Sequence, residues 1–149
     1  MNEELLVMSE QNVERDRRLV ETFNTRDVEA FIALCDPDIE VHSVFTAVGG
    51  TTYHGHDGVR KWHRDLQETW GEEIRIESEA FFDLGEHTLG FQVIHGRGLQ
   101  SGVEVAMPCA HVARWRDEGL CDHLKVYMHR EDALEDMDVT EETLKPFAP

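Results

Sequence analysis

Three histidines lie close together in the stretch T-T-Y-H-G-H-D-G-V-R-K-W-H, residues 51–63: His54, His56 and His63. An H-x-H pair followed by a third histidine one or two helical turns later can hold zinc, because imidazole nitrogen is one of the ligands that zinc prefers. A turn that happens to contain histidine is the alternative. A zinc site requires the three side chains to point to one place, whereas a turn does not.

The residues around these histidines favour the turn. Gly55 and Gly58 bracket Asp57 at the predicted start of a helix, where the positive end of the helix dipole stabilises a carboxylate. His54 precedes the turn and His56 lies within it, so their side chains need not converge. No Asp, Glu or Cys at ligand spacing completes the set. The sequence therefore predicts no bound metal.

His111 is the strongest candidate for acid–base chemistry. It lies in V-E-V-A-M-P-C-A-H-V-A-R-W, residues 103–115, where alternate residues are mostly apolar. A strand there places His111 on an apolar wall. A histidine on such a wall can be tuned near neutral pH and can act as an acid or a base. A core histidine that is hydrogen-bonded to a neighbour is the plainer interpretation.

His42 and His95 are the predicted partners of His111. His42 ends a predicted strand beside the expected mouth of a pocket, where it would act as a base or donate to a substrate carbonyl. An exposed residue at a strand end is the alternative. His95 joins His111 if it faces inward with Phe91. Arg97 would then hold an anionic group, or else pair with one of the many acids.

The elements that must position these side chains follow from the spacing of apolar residues. The predicted helices span 9–24, 28–35, 59–70 and 130–137, and the predicted strands span 39–45, 74–83, 87–98, 101–115 and 120–128. Ser9 and Asp27 can cap the first two helices. Glycine density predicts a loop over 48–58, and the tail after 137 is a cap or a loose end.

Helices followed by an antiparallel meander indicate an α+β fold with the helices on one face of a curved sheet. A bent sheet closed by helices leaves a cone-shaped cavity that can hold a ligand. The residues predicted to line or floor it are Phe23, Phe45, Trp62, Leu66, Leu124, Val126 and Met128. Aromatic residues at such spacing are more often core than substrate contacts, and in this architecture they can be both.

Composition limits the class of protein. The chain has 149 residues, which predicts one domain, and its 31 acidic and 14 basic residues give a formal charge of −17. That charge argues against binding nucleic acid or an anionic membrane. The three cysteines form no C-x-x-C pair, and no signal peptide or membrane-spanning apolar run is predicted. We expect a cytoplasmic protein.

Five short motifs together resemble a known family. They are F-N-T-R-D-V-E-A-F-I-A-L-C-D-P-D-I-E-V-H (23–42), G-H-D-G-V-R (55–60), G-R-G-L-Q-S-G-V-E-V (96–105), A-H-V-A-R-W-R-D-E-G (110–119) and V-Y-M-H-R-E-D-A-L (126–134). In this order they resemble the SnoaL-like branch of the nuclear transport factor 2-like superfamily, which includes proteins of the ketosteroid isomerase and polyketide cyclase types. The resemblance implies a single domain over residues 1–149, with a core at roughly residues 12–137, a short N-terminal extension and a C-terminal tail. It implies a curved, largely antiparallel sheet with three N-terminal helices packed on it around a pocket.

The resemblance also implies where polar groups should lie. Ketosteroid isomerase-like members carry a carboxylate base, an acid and a tyrosine on the inner face of the cone. Matched residue by residue, the acid position falls on His111, the base position on Ser43 and the tyrosine position near Leu19. The chain departs from the isomerase pattern at all three places, so a steroid-isomerase mechanism is not expected.

Two classes of function remain from the sequence. The favoured one is a cofactor-free enzyme of isomerase, cyclase or dehydratase type that acts on a hydrophobic oxygenated small molecule through His111, His42 and His95. The other is a non-catalytic module that binds a hydrophobic ligand or a protein. Nothing in the sequence implies an organic cofactor. The resemblance further implies a homodimer that forms through the sheet face.

Overall fold

The computed structural model describes residues 3–45, 51–97 and 102–149. The helices are α1 (Glu3–Asn24), α2 (Val28–Ala33), α3 (Gly55–Trp70) and α4 (Arg130–Asp136). The strands are β1 (Cys35–Ser43), β2 (Thr51–His54), β3 (Arg75–Asp83), β4 (His87–Arg97), β5 (Glu104–Trp115), β6 (Cys121–Tyr127) and β7 (Pro146–Phe147). A short 3-10 helix, Glu141–Thr143, precedes β7.

The strands form one curved, unclosed sheet in the order β2-β1-β6-β5-β4-β3-β7. β1 and β6 run parallel, and the other neighbouring pairs are antiparallel. α1 packs on β3 and β4, and α3 packs on β1. The predicted α+β cone is confirmed.

The helices form where apolar residues recur at helical spacing. In α3, Val59, Trp62 and Leu66 are buried along one side. α2 begins at the predicted cap, because the Asp27 side chain accepts a hydrogen bond of 3.1 Å from the backbone N–H of Ala30.

The sheet separates two apolar clusters. The larger one lies between the sheet and helices α1, α2 and α3, and it includes Phe31, Val41 and Ile94. The smaller one lies on the opposite face, where Ala133 of α4 packs with Phe91 and Tyr127. The pocket lies on the same face as the larger cluster. Because successive residues of a strand point to opposite faces of the sheet, only every second residue can reach a ligand.

Several predicted boundaries are wrong. α1 begins at Glu3, so Ser9 lies inside the helix and does not cap it. α3 begins at Gly55, ahead of the predicted start, because that glycine adopts φ +70 and turns the chain directly out of β2. Within the predicted loop, residues 51–54 pair with β1 as β2 and residues 55–58 belong to α3, while residues 48–50 lie outside the described residues. The tail is not loose, because β7 pairs with β3 at the sheet edge.

Across the ranges that the structure describes, no helix combines the length and the apolar character needed to cross a membrane.

Candidate active site

A mostly apolar pocket lies between the helices and the inner face of the sheet. Its lining residues are Asp16, Leu19, Val20, Phe23, Phe31, Ser43, Phe45, Trp62, Leu66, Ile76, Gln92, Ile94, Cys109, His111, Leu124 and Val126. The cavity volume of the pocket is about 60 Å³. A small apolar molecule with few polar groups matches such a lining.

His111 and Asp16 form a buried pair in this lining. Nε2 of His111 lies 2.6 Å from Oδ1 of Asp16, and the two residues are 5% and 0% exposed. Asp16 comes from the inner side of α1, and His111 comes from the middle of β5. A hydrogen bond in which one partner is ionised is shorter and stronger than one between neutral groups.

Gln92 completes the surroundings of the imidazole. Its Oε1 lies 2.6 Å from Nδ1 of His111, while its Nε2 donates to Sγ of Cys109 over 3.6 Å. Both ring nitrogens of His111 therefore face oxygen acceptors. An N–H at either ring position donates to the oxygen beside it, so the ring is held at both nitrogens.

Two buried polar atoms of the pocket lining have no hydrogen-bond partner within the described part of the chain: Oδ2 of Asp16 and Nε1 of Trp62. One is an acceptor and the other is a donor. A buried polar atom without a partner costs about 1–3 kcal/mol. The pocket thus offers a proton-accepting oxygen and an N–H donor to whatever molecule enters it.

The glycine opposite His111 makes room for its ring. Gly90 is the cross-strand partner of His111, and a Cβ atom on Gly90 would lie 2.8 Å from Nδ1 and closer still to Cε1. A contact of that length is a steric clash with the imidazole. Gly90 is therefore a positioning residue for His111.

The pocket contains most of the side chains that the sequence predicts as lining: Phe23, Phe45, Trp62, Leu66, Leu124 and Val126. Met128 and Arg97 lie outside it. β6 ends at Tyr127, so Met128 leaves the wall and is 41% exposed. Arg97 ends β4 and forms an ion pair of 2.9 Å with Glu104.

His42 and His95 do not meet His111. The pleat of β1 turns Ser43 into the pocket and His42 to the other face, where Nε2 of His42 lies 2.7 Å from Oε1 of Glu40. On β4, Gln92 and Ile94 face the pocket, so His95 points away and pairs with Glu77 at 2.9 Å. The prediction that His42 or His95 is the partner of His111 is therefore wrong, because both side chains point to the opposite face of the sheet.

The actual partners of His111, Asp16 and Gln92, were missed by sequence reasoning. Asp16 did carry a signal, because it lies on the same side of its helix as the buried Val13 and Leu19. An aspartate on an apolar helix face needs a partner, and the helix pattern does not name one. Leu19 and Ser43 line the pocket, at the places where the resemblance puts a tyrosine and a base.

His56 and His63 of the stretch 51–63 contact different neighbours. Nδ1 of His63 donates to the carbonyl of Val59 over 3.0 Å, and its ring packs against that of Phe31. Nε2 of His56 lies 3.0 Å from the carbonyl oxygen of Cys35. These contacts point the two side chains to separate places.

A comparison with known protein families finds a match. The sequence model of the family described as the SnoaL-like domain matches residues 17–123, which is more than half of the chain. The chain therefore belongs to the SnoaL-like family. A comparison with curated proteins finds no match.

Solved structures show the same fold at low sequence identity. A nuclear transport factor 2-like protein from Burkholderia pseudomallei is 21% identical, with a TM-score of 0.71 over 84% of this chain and 95% of that one. A Mycobacterium tuberculosis protein in complex with estradiol-17beta-hemisuccinate is 14% identical, with a TM-score of 0.67 over 81% and 95%. A third structure is that of SalBIII, an epoxide hydrolase/cyclase-like enzyme described as having a role in pyran ring formation in the polyether salinomycin. It is 16% identical, with a TM-score of 0.67 over 83% of this chain and 94% of that one. Such likeness shows the fold alone.

Proposed function

We propose that this protein is a cofactor-free acid–base enzyme of the isomerase, cyclase or dehydratase type, acting on an apolar, oxygenated small molecule. The observation that carries the proposal is the buried Asp16–His111 pair in a mostly apolar pocket. The second carboxylate oxygen of Asp16 has no hydrogen-bond partner among the described residues. A water-poor site strengthens such charges and excludes competing proton acceptors.

The chemistry assigns a role to each polar group. Oδ2 of Asp16 accepts a proton from the carbon next to a substrate carbonyl. His111 binds the other carboxylate oxygen and so keeps the free oxygen of Asp16 oriented toward the pocket. The N–H of Trp62 donates to the oxygen on which enolate charge develops. Return of that proton from Asp16 to a different atom of the substrate completes an isomerisation, and its transfer to a hydroxyl group that leaves as water completes a dehydration.

Relatives in the fold support a small apolar ligand. One is bound to a steroid hemisuccinate, and another is described as cyclase-like in pyran ring formation. These ligands and reactions belong to those proteins. The apolar lining around Phe23, Trp62 and Leu66 is what suits this chain to the same chemical class.

A specific observation favours a second candidate, a non-catalytic binder of hydrophobic ligands. Ser43 and Leu19 line the pocket at the positions where isomerase-like relatives carry a base and a tyrosine. Neither side chain can replace those groups. In this case Asp16 and His111 hold α1 to β5 and orient a ligand without transforming it.

Exchange of carbon-bound hydrogen tests the enzyme without knowledge of its substrate. In D₂O, small aromatic ketones that enter the pocket should gain deuterium next to the carbonyl, as measured by NMR. Asp16→Asn and His111→Gln should abolish the enzyme-dependent exchange, and His95→Ala, which changes a histidine outside the pocket, should leave it intact. Saturable binding of the ketones without exchange would favour the non-catalytic candidate.

The homodimer and the cytoplasmic location remain predictions. A dimer through the sheet face should give twice the monomer mass in light scattering. Charge reversal on that face, for example Glu77→Lys, should lower the dimer fraction.

A further inference from the structure

The outer face of the sheet carries a second cluster of chemically active side chains. Glu40, His42 and His123 offer ligand atoms that all lie within 4.8 Å of one another, and each residue is half-buried. β1 and β6 run parallel here, with Glu40 directly opposite His123 and His42 two residues further along. The cluster faces away from the pocket, so the proposed reaction does not use it.

The chemistry of the three groups is that of a cation site. Two imidazoles and one carboxylate suit zinc and similar divalent ions. Nε2 of His42 lies 2.7 Å from Oε1 of Glu40, and the rings of His42 and His123 have centroids 5.0 Å apart. Around a tetrahedral ion with bonds of about 2.0–2.2 Å, ligand atoms lie roughly 3.4 Å apart, so small rotations of these side chains admit the ion.

A neighbouring hydroxyl fixes the orientation of one ligand. Nδ1 of His42 lies 3.0 Å from Oγ1 of Thr52 on β2. When Nδ1–H donates to that hydroxyl, the lone pair of Nε2 faces Glu40 and His123. Metal-binding histidines are commonly held in this way by a second hydrogen bond.

Nearby cations are already paired. Arg114, the cross-strand neighbour of His123, donates to Asp122 over 2.7 Å. Lys125, the neighbour of His42, lies 3.1 Å from the carboxylate of Asp136. The chain as a whole carries a formal charge of −17, which attracts cations.

We propose that Glu40, His42 and His123 bind a zinc-like divalent cation, with water in the remaining position. The ion joins β1 to β6, the one parallel pair among the described strands, and replaces the direct contact between Glu40 and His42. Because the site needs the folded register of two strands, binding stabilises the native state.

Cobalt titration of the full, untagged, chelator-treated chain tests the site. Co²⁺ should produce visible d–d absorption bands that saturate, and Zn²⁺ should abolish them by competition. His42→Ala and His123→Ala should each weaken zinc binding by at least about 100-fold, and Thr52→Val should weaken it by about 10-fold. Zinc should also raise the thermal midpoint of the wild type and leave those of the two alanine variants unchanged.

His95→Ala is the matched control, because His95 pairs with Glu77 at 2.9 Å on the same face of the sheet but forms no three-residue ligand group among the described residues. Its zinc affinity should equal that of the wild type. The absence of saturable cobalt bands would overturn the proposal. So would binding that survives in His42→Ala and His123→Ala but is lost in His54→Ala. Far-UV circular dichroism of each variant separates loss of the site from loss of the fold.

Discussion

Oδ1 of Asp16 and Nε2 of His111 lie 2.6 Å apart, although 95 residues separate them along the chain. The contact joins the inner side of α1 to the middle of β5 at the centre of the pocket. Neither residue has access to solvent that would satisfy it alone, so each depends on the other. This mutual dependence makes the pair a structural tie between α1 and β5, and the same pair carries the proposed acid–base chemistry.

Asp16→Asn keeps the shape of the side chain and removes its basic oxygen. We expect ketone exchange to fall by about 100-fold or more, since general base catalysis contributes about that much. Rates of deuterium incorporation measure the effect. Glu14→Gln is the control, because Glu14 lies on the same helix but is 59% exposed and pairs with Arg17. Full activity in Asp16→Asn would contradict the assigned role.

Gly90→Ala should displace the imidazole of His111, because the added methyl group occupies the space of the ring. We expect a loss of about 1–3 kcal/mol in the free energy of unfolding, together with loss of exchange activity. Urea denaturation of a double-mutant cycle measures the coupling. In the His111→Ala background the same methyl group meets no ring, so Gly90→Ala should then cost much less. Equal costs in both backgrounds would exclude the predicted clash.

His63 should make the protein less stable in mild acid. Burial lowers the pKa of His63, and its Nε2 has no hydrogen-bond partner among the described residues. The unfolded chain therefore binds the proton more readily than the folded one. The neutral side chain of His63 contributes fully to stability above the ordinary histidine pKa of 6.5. This contribution is lost as the pH falls from 6.5 to the lower pKa of the folded state.

The replacement His63→Phe tests this dependence. As the pH falls below 6.5, we expect the free energy of unfolding of this variant to fall less steeply than that of the wild type. The two slopes should differ by at most about 1.4 kcal/mol per pH unit, which is the contribution of one proton. Guanidinium denaturation at several pH values gives the slopes. His54→Gln, at an exposed position, should keep the wild-type slope. Identical slopes for wild type and His63→Phe would contradict the expected linkage.

The cysteines should be inert in the native protein. Burial raises the pKa of the Cys35 thiol to about 12, and it raises that of Cys121 well above its ordinary value. Because thiolate is the reactive form, both should react with a disulfide reagent only as fast as the protein opens. Labelling rates with and without denaturant, followed by mass spectrometry, give the comparison. Rapid labelling of Cys121 in native conditions would contradict its complete burial.

Local patterns in the sequence predicted much of the fold. The alternation around His111 indicated a strand with this residue on an apolar face, and the structure places it on the pocket wall in β5. The spacing of Val59, Trp62 and Leu66 indicated the buried side of α3. The motifs indicated the family, and the match over residues 17–123 shows it. Such features depend on neighbours one turn or one pleat away, which a linear sequence displays directly.

The partners of the reactive residues depended on the tertiary structure. Register and pleat turned His42 and His95 away from the pocket, and curvature of the sheet brought α1 over β5 so that Asp16 met His111. The parallel pairing of β1 with β6 likewise set His123 opposite Glu40. A shift of one residue in a strand exchanges its two faces, and nothing in the local pattern records which distant strand lies alongside. The sequence by itself therefore determined which residues could do chemistry and on which elements they lie. The register of distant strands determined which of them are in contact.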